Sequence, residues 1–317
     1  MREEQVPLLM GTISRRLSCL LTAGILQVAA CAMSPGEATH TGSPARSSPT
    51  NGGSSIAYLA SDGPGKDDTD VFVLSLRSMV STPLTALGSA EVFDPKWSPD
   101  RGTVAFGLRS GGESEDIYAV GADGHDLRQL AAGSSDQWSV SWSPDGHEIA
   151  YLDAPSATEP TILKILDLGD GSISDVRTFP VGTNMAAWDP SGAVIAVVAN
   201  GRLWFQPASG GTPKRGPQVP GDVSQVSWSP TGELLVSTGA RHSGPPPWPR
   251  GRALFVANGE SVRLLEAPRA NFVGGAWAPS GGRLVLQHLG PHGKLTLDLV
   301  SSDGRVLRSL VEGWDPD

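Results

Sequence analysis

The sequence predicts an all-β fold, a six-bladed β-propeller of four-stranded antiparallel blades, and three observations carry that expectation. The first is a recurring turn: Trp97-Ser-Pro-Asp-Arg-Gly, one residue longer than the rest, then Trp142-Ser-Pro-Asp-Gly, Trp188-Asp-Pro-Ser-Gly, Trp228-Ser-Pro-Thr-Gly and Trp277-Ala-Pro-Ser-Gly. Its tryptophans stand 45, 46, 40 and 49 residues apart, a period that in all-β sequence points to propeller blades. The second is a run of short strand signals to the C-terminus, with no amphipathic helical window longer than a turn or two. The third is turn chemistry: 39 Gly and 26 Pro in 317 residues suit many short strands joined by tight turns.

Each unit reads alike. A short apolar strand ends at the tryptophan, and the Pro-Asp-Gly turn presets φ and supplies left-handed positions. A β-branched strand follows, as in Val104–Phe106, Ile149–Tyr151, Val194–Val197, Leu234–Val236 and Leu284–Leu286. After a variable loop comes a third strand, as in Ile117–Val120, Ile162–Ile165, Leu203–Phe205, Ala253–Val256 and Leu295–Leu297. Turns such as Asp123-Gly124 lead to a fourth. A sixth unit opens the fold: Ser55–Tyr58 matches the second strand and Asp70–Val73 the third, but Ser47 stands where the tryptophan belongs. The tail, Trp314-Asp-Pro-Asp317, repeats the start of the motif. It either supplies the innermost strand of blade one or leaves that blade three-stranded.

The succession W-S-P-D-G, I-A-Y, D-I-Y and A-D-G, clearest from Trp97 to Leu130, resembles the WD-like repeat of TolB-type propellers over roughly residues 47 to 314. The resemblance implies a six-bladed propeller and no single activity, since such propellers include binding modules, assembly factors and non-catalytic domains of peptidases.

The N-terminal 30 residues read as a lipoprotein signal peptide. Arg15 and Arg16 precede an apolar run, Leu17–Ala30, that is short for a bilayer span and ends Val28-Ala-Ala-Cys31. Small residues before a cysteine resemble a lipobox, with Cys31 the residue lipidated after cleavage; an ordinary secretory signal is the other reading. Ser14-Arg15-Arg16 hints at a twin-arginine signal, but Ser18 stands where that motif wants a bulky apolar residue. Residues 31–53, rich in Ser, Thr, Pro, Gly and Ala, form a tether with little to bury, and 54–317 form the propeller. The only cysteines are Cys19 and Cys31, so the propeller has neither disulfide nor thiol nucleophile. The net charge is −9, or −10 once the signal is removed. Such a domain repels phosphate, which argues against nucleic acid.

Alternating turns in an antiparallel blade lie on opposite faces, so the tight Pro-Asp-Gly turns gather on one face and the variable loops on the other. Loops carried by a rigid scaffold are where binding residues concentrate. Gly239–Arg250, GARHSGPPPWPR, is the most unusual loop: a stiff Pro run presents Trp248 among Arg241, His242 and Arg250. It is either a recognition loop or a spacer folded onto its own blade. Trp138, in the link Gly133–Trp138, shares that face. Asp67, Asp68 and Asp70 cluster with Asp62 without the spacing of a calcium loop, and the default for them is a solvated acidic loop. His242, His288 and His292 are scattered loop histidines rather than a metal site, and no metal or cofactor is expected. The repeated tryptophans Trp97, Trp142, Trp188, Trp228 and Trp277 read as blade-packing residues.

There is no Gly-x-Ser-x-Gly elbow, no His-Glu-x-x-His, no P-loop and no dinucleotide fingerprint. The resulting expectation is a non-catalytic, monomeric propeller, lipid-anchored on the outer face of a bacterial cytoplasmic membrane, that recognises an envelope protein or peptide. A hydrolase or lyase built at the channel mouth, and an envelope spacer or sensor ectodomain, are the rivals.

Overall fold

The computed structural model describes residues 55–61, 69–88, 90–111, 114–239, 253–265, 272–289, 295–313 and 316–317. These residues form six antiparallel sheets with no helix among them. Blade one comprises β1 (Ser55–Ala60), β2 (Asp70–Ser75) and β3 (Ser81–Pro83). Blade two comprises β4 (Ala90–Trp97), β5 (Thr103–Ser110), β6 (Asp116–Gly121) and β7 (Arg128–Ala131). Blade three comprises β8 (Asp136–Trp142), β9 (Glu148–Ala154), β10 (Thr161–Asp167) and β11 (Ile173–Phe179). Blade four comprises β12 (Thr183–Trp188), β13 (Val194–Ala199), β14 (Arg202–Pro207) and β15 (Lys214–Arg215). Blade five comprises β16 (Val223–Trp228), β17 (Leu234–Thr238), β18 (Ala253–Asn258) and β19 (Ser261–Leu264). Blade six comprises β20 (Phe272–Trp277), β21 (Arg283–Leu289), β22 (Leu295–Ser301) and β23 (Val306–Glu312).

The motif turn is held by its own side chains. In blade three, Ser143 Oγ donates to Asp145 at 2.6 Å, His147 N donates to the same carboxylate at 3.1 Å, and Glu148 N donates to Ser143 Oγ at 2.9 Å. Proline presets the turn, and Gly146 takes the left-handed position at φ 75°. Blade four exchanges the two residue types and keeps the bond: Ser191 Oγ donates to Asp189, which also accepts from Val194 N at 2.8 Å. Blade two is not one residue longer, as its spelling suggested. Ser98 N bonds Thr103 O just as Ser143 N bonds Glu148 O, and Arg101, at φ 62°, occupies the glycine position. The shortened turn is in blade five, where Ser229 N bonds Glu233 O.

Among the described residues, no blade has a core of its own. The buried apolar clusters lie between blades: Leu59 and Val71 pack with Val104 and Phe106 between blades one and two, and Leu163 packs with Ile195 and Val197 between blades three and four. Ile56, Tyr58 and Leu74 with Val285 and Leu297 join blade six to blade one. Two motif indoles reinforce these seams. Trp142 Nε1 donates to Lys96 O at 3.0 Å and Trp228 Nε1 to Ala187 O at 3.1 Å, each on the preceding blade. Trp188 Nε1 instead donates to Gly192 O of its own turn.

Blade one has three strands, and the tail meets its inner edge. Asp317 and Ala57 exchange both backbone hydrogen bonds at 2.9 Å, and the Asp317 carboxylate accepts from Trp97 N at 2.7 Å. Ser141 Oγ does the same for Trp188 N at the seam of blades three and four, at 2.8 Å. Asp317 therefore stands where an inner-strand residue stands in other blades, and the two readings of the tail each describe part of the structure. Arg101 adds to this seam, donating to Ser55 O at 3.1 Å and lying 5.5 Å from the Trp97 ring centroid. Asp317→Ala is expected to lower the thermal unfolding midpoint, because an unpaired, part-buried Trp97 N–H costs about 1–3 kcal/mol; an unchanged midpoint by circular dichroism would contradict this closure.

Candidate functional site at the channel mouth

The inner strands β4, β8, β12, β16 and β20 line the channel, and each carries one extra residue relative to its partner strand. The register slips between Phe93 and Lys96, Trp138 and Ser141, Thr183 and Met185, Val223 and Gln225, and Phe272 and Gly274. Asp94 and Ser139 sit in the first two of these bulges with φ of 49° and 59°. A bulge bends its strand and re-aims side chains. Here the bulges of blades two to five turn Asp94, Ser139, Asn184, Met185, Ser224 and Gln225 towards one cavity of about 280 Å³, which Phe93, Trp138 and Glu115 complete. An adjoining cavity of about 340 Å³ opens beside Trp138, Arg109, Asp136 and Asn184 and extends to Ser156 and Glu159 of the Ala154–Pro160 loop.

Glu115 is shared by both cavities, and its position follows from its backbone. Glu115 N donates to the Asp136 carboxylate at 3.0 Å and Gln137 N donates to Glu115 O at 2.7 Å, which clasps the end of the Arg109–Glu115 loop to the start of β8. Its side chain lies over Gly107, where an added Cβ would fall 2.3 Å from Oε1, so the carboxyl in this position uses the space that glycine leaves in β5. Glu115 is 7 % exposed, and Oε1 is buried with no hydrogen-bond partner among the described residues. Oε2 meets Arg109 at 3.5 Å, but the same guanidinium also serves Glu91 at 3.4 Å and Asp136 at 3.5 Å and rests over the Phe93 ring. The Glu115 carboxyl is raised from 4.5 to about 8: burial is the largest cause, Arg109 pulls against it, and Asp136, Asp94 and Glu91 add to it. The long contact to Arg109 is thus that of a largely neutral carboxyl near pH 7. Asp94 has its own partner, Lys96 Nζ at 2.6 Å.

A third cavity, of about 340 Å³, opens on the opposite, tight-turn face. It brings Trp97, Trp142, Trp188, Trp228 and Trp277 around one opening with the motif prolines. Three of them, Trp97, Trp188 and Trp277, are buried, and the lining repeats the blade motif. The ionisable cluster belongs to the other mouth.

Of the residues singled out from sequence, Trp138 lies in the site. Asp70 does not: it is 6 % exposed, and its carboxylate accepts from Thr85 Oγ1 at 2.6 Å and Leu87 N at 3.0 Å, which holds the link into blade two. Its expected place in a solvated acidic loop is corrected accordingly. His288 is buried, its Nδ1 3.1 Å from Asp298 Oδ2 and its ring edge-on to Phe272. Cys31, Asp67, Asp68, Arg241, His242, Trp248 and Arg250 lie outside the described residues, as do Asp62 and His292. Glu115, Arg109, Asp136 and Asn184 were not singled out. A signal for part of the set exists in the repeat: Asp94, Ser139, Met185, Gln225 and Gly274 each stand three residues before a motif tryptophan.

No known protein-family profile matches the chain. Over 194 residues it is 25 % identical to YuxL, an uncharacterised peptidase of Bacillus subtilis (strain 168), covering 58 % of this chain and 27 % of that protein. The chain thus spans about a quarter of this curated relative's length. Among solved structures it is similar to TolB from Acinetobacter baumannii, with TM-score 0.67 and 16 % identity over 83 % of this chain and 66 % of that one. It is also similar to a puromycin-hydrolysing peptidase of Mycobacterium tuberculosis, with TM-score 0.57 and 19 % identity over 81 % of this chain and 44 % of that one. An oligogalacturonate lyase in complex with manganese matches with TM-score 0.55 and 15 % identity over 81 % of this chain and 73 % of that one. At these identities the structural likenesses show the fold, a TolB-type six-bladed propeller. The expectation of a non-catalytic chain is corrected: a peptidase stands among its sequence relatives and two enzymes among its structural neighbours. The absence of a hydrolase motif is therefore no argument against activity.

The Glu115 shift has a measurable consequence. The folded protein keeps a proton that the unfolded chain loses between pH 4.5 and about 8, so stability falls as pH rises through that window. Glu115→Gln is expected to be more stable than wild type at about pH 9, by on the order of a few kcal/mol, with a much smaller difference at about pH 5. Urea unfolding at the two pH values checks this; parallel pH profiles of the two proteins would contradict it.

Proposed function

We propose that this propeller recognises a protein, peptide or envelope component at the variable-loop mouth of its channel, and that Cys31 and the tether hold it at the outer face of a bacterial cytoplasmic membrane. The observation that supports this most is the convergence of Trp138, Glu115, Arg109, Asp136 and Asn184 on two adjoining cavities at that mouth. An aromatic wall with a few convergent polar groups is the ordinary make-up of a ligand site. The clasp between Glu115 and β8 fixes these groups on rigid strands, so little order is lost on binding. The anchor rests on the sequence pattern that ends at Cys31 and on the Ser/Pro/Gly-rich stretch after it.

A second reading makes the same pocket catalytic, and one observation favours it. Glu115, with its carboxyl raised to about 8 beside Asp136, is suited to give or take a proton near neutral pH. The peptidase and lyase likenesses agree with that reading. Under it, Glu115→Gln would bind a substrate and fail to turn it over.

Affinity capture from solubilised envelope tests recognition. Wild type is expected to retain a partner that Trp138→Ala loses or binds at least about tenfold more weakly; equal capture by both would move recognition away from this mouth. Cys31→Ala is expected to shift the protein from the membrane fraction to the soluble fraction, and unchanged fractionation would remove the anchor from the proposal.

A further inference from the structure

We infer that the pocket between Trp138 and the carboxyl cluster takes a cationic side chain, a lysine-type alkylammonium presented by a peptide. The inference rests on the channel mouth being the binding site and adds the chemistry of what enters it.

The charge around the pocket is unbalanced. β4 contributes Glu91 and Asp94, β5 Arg109, the loop before β6 Glu115, β8 Asp136, and the β9–β10 loop Glu159. Lys96 is committed to Asp94 at 2.6 Å, and Lys164, on β10 nearby, to Asp153 and Asp175 at 3.8 and 3.7 Å. Among the described residues this leaves one guanidinium, Arg109, for Glu91, Glu115, Asp136 and Glu159, and its three contacts with the first three are all 3.4–3.5 Å. With Glu115 largely neutral, that one guanidinium still serves both Glu91 and Asp136, and Glu159 lines the same pocket. The second and independent sign of a missing partner is Glu115 itself: more than nine-tenths buried, lining both cavities, with Oε1 unpartnered. A buried polar atom without a partner costs free energy that a donor arriving with a ligand recovers.

An alkylammonium fits better than a metal ion. No group of three metal-ligating side chains converges among the described residues, and the carboxylates are separated by Arg109. An aliphatic stem, in contrast, finds the Trp138 indole and Ala154 in a cavity of about 340 Å³, with the aromatic face favouring the cation. Entry of the cation makes the ionised form of Glu115 the stable one, so binding expels a proton near neutral pH. Affinity then rises with pH until Glu115 is ionised without help, while the lysine ammonium, with a pKa of about 10.4, stays charged throughout.

The test is calorimetric titration of the full chain with Nα-acetyl-lysine N-methylamide and its neutral isostere, Nα-acetyl-norleucine N-methylamide. The lysine compound is expected to bind about tenfold more tightly or better, releasing a proton at pH 7 and tightening between about pH 6 and pH 9. In Glu115→Gln the affinity is expected to drop about tenfold and lose its pH dependence, whereas Asp136→Asn should weaken binding and keep the pH dependence; circular dichroism confirms that both variants are folded. Equal binding of the two compounds, or an unchanged affinity and pH profile in Glu115→Gln, overturns the inference. If Trp138→Ala still abolishes partner capture while the lysine compound does not bind, the channel-mouth reading stands and the cationic ligand falls. If capture and lysine binding both survive Trp138→Ala, both fall.

Discussion

A propeller must close, and the rest of this molecule depends on how it does. Its apolar side chains are buried between blades rather than within them, so every blade borrows half its core from a neighbour. An open ring would leave two such faces wet, together with a free sheet edge. The seam between blades six and one is therefore where stability is decided. It is held by the Tyr58 and Leu297 cluster and by the Asp317–Ala57 backbone pair, and the Asp317 carboxylate on Trp97 N carries the tie on into blade two. The same kind of bond, a side-chain oxygen capping the backbone N–H of the next blade's tryptophan, recurs at Ser141 and Trp188.

Closure also shapes the functional end. Inner strands that crowd around one axis each take up one extra residue, and the resulting bulges set which side chains face the channel. On the tight-turn face the result is repetitive, a circle of tryptophans and prolines. On the other face the loops differ from blade to blade, and one of them drops Glu115 behind Arg109 at the seam of blades two and three. Regularity holds the ring and irregularity supplies the chemistry, as expected where a rigid scaffold displays variable loops.

What the sequence made legible follows the same division. The spacing of Trp97, Trp142, Trp188, Trp228 and Trp277 specifies blades, strand order and the face of every turn, because those depend on a repeat. Length alone misled at Arg101, where a non-glycine residue accepts the left-handed position and the turn keeps its size. It misled again at Asp70, whose place next to Asp67 and Asp68 hid a buried carboxylate bound to Thr85 and the Leu87 amide. The site was legible only through the link Gly133–Trp138. That Glu115, Arg109 and Asp136 converge is a tertiary fact, created by a backbone clasp between a loop and a strand 21 residues apart. Nothing in the local sequence of Glu115 distinguishes this buried carboxyl from an exposed loop acid.

The buried, proton-holding carboxyl of Glu115 is the centre of both the site and its proposed chemistry. It can be observed directly by carbon-13 NMR of glutamate-labelled protein, with the Glu115 carboxyl resonance identified by its loss in Glu115→Gln, followed across pH. The structure predicts a midpoint near 8. A midpoint at the ordinary 4.5 would mean that the carboxyl is solvated or fully paired with Arg109, and the channel mouth would then have no unsatisfied group for a ligand to meet.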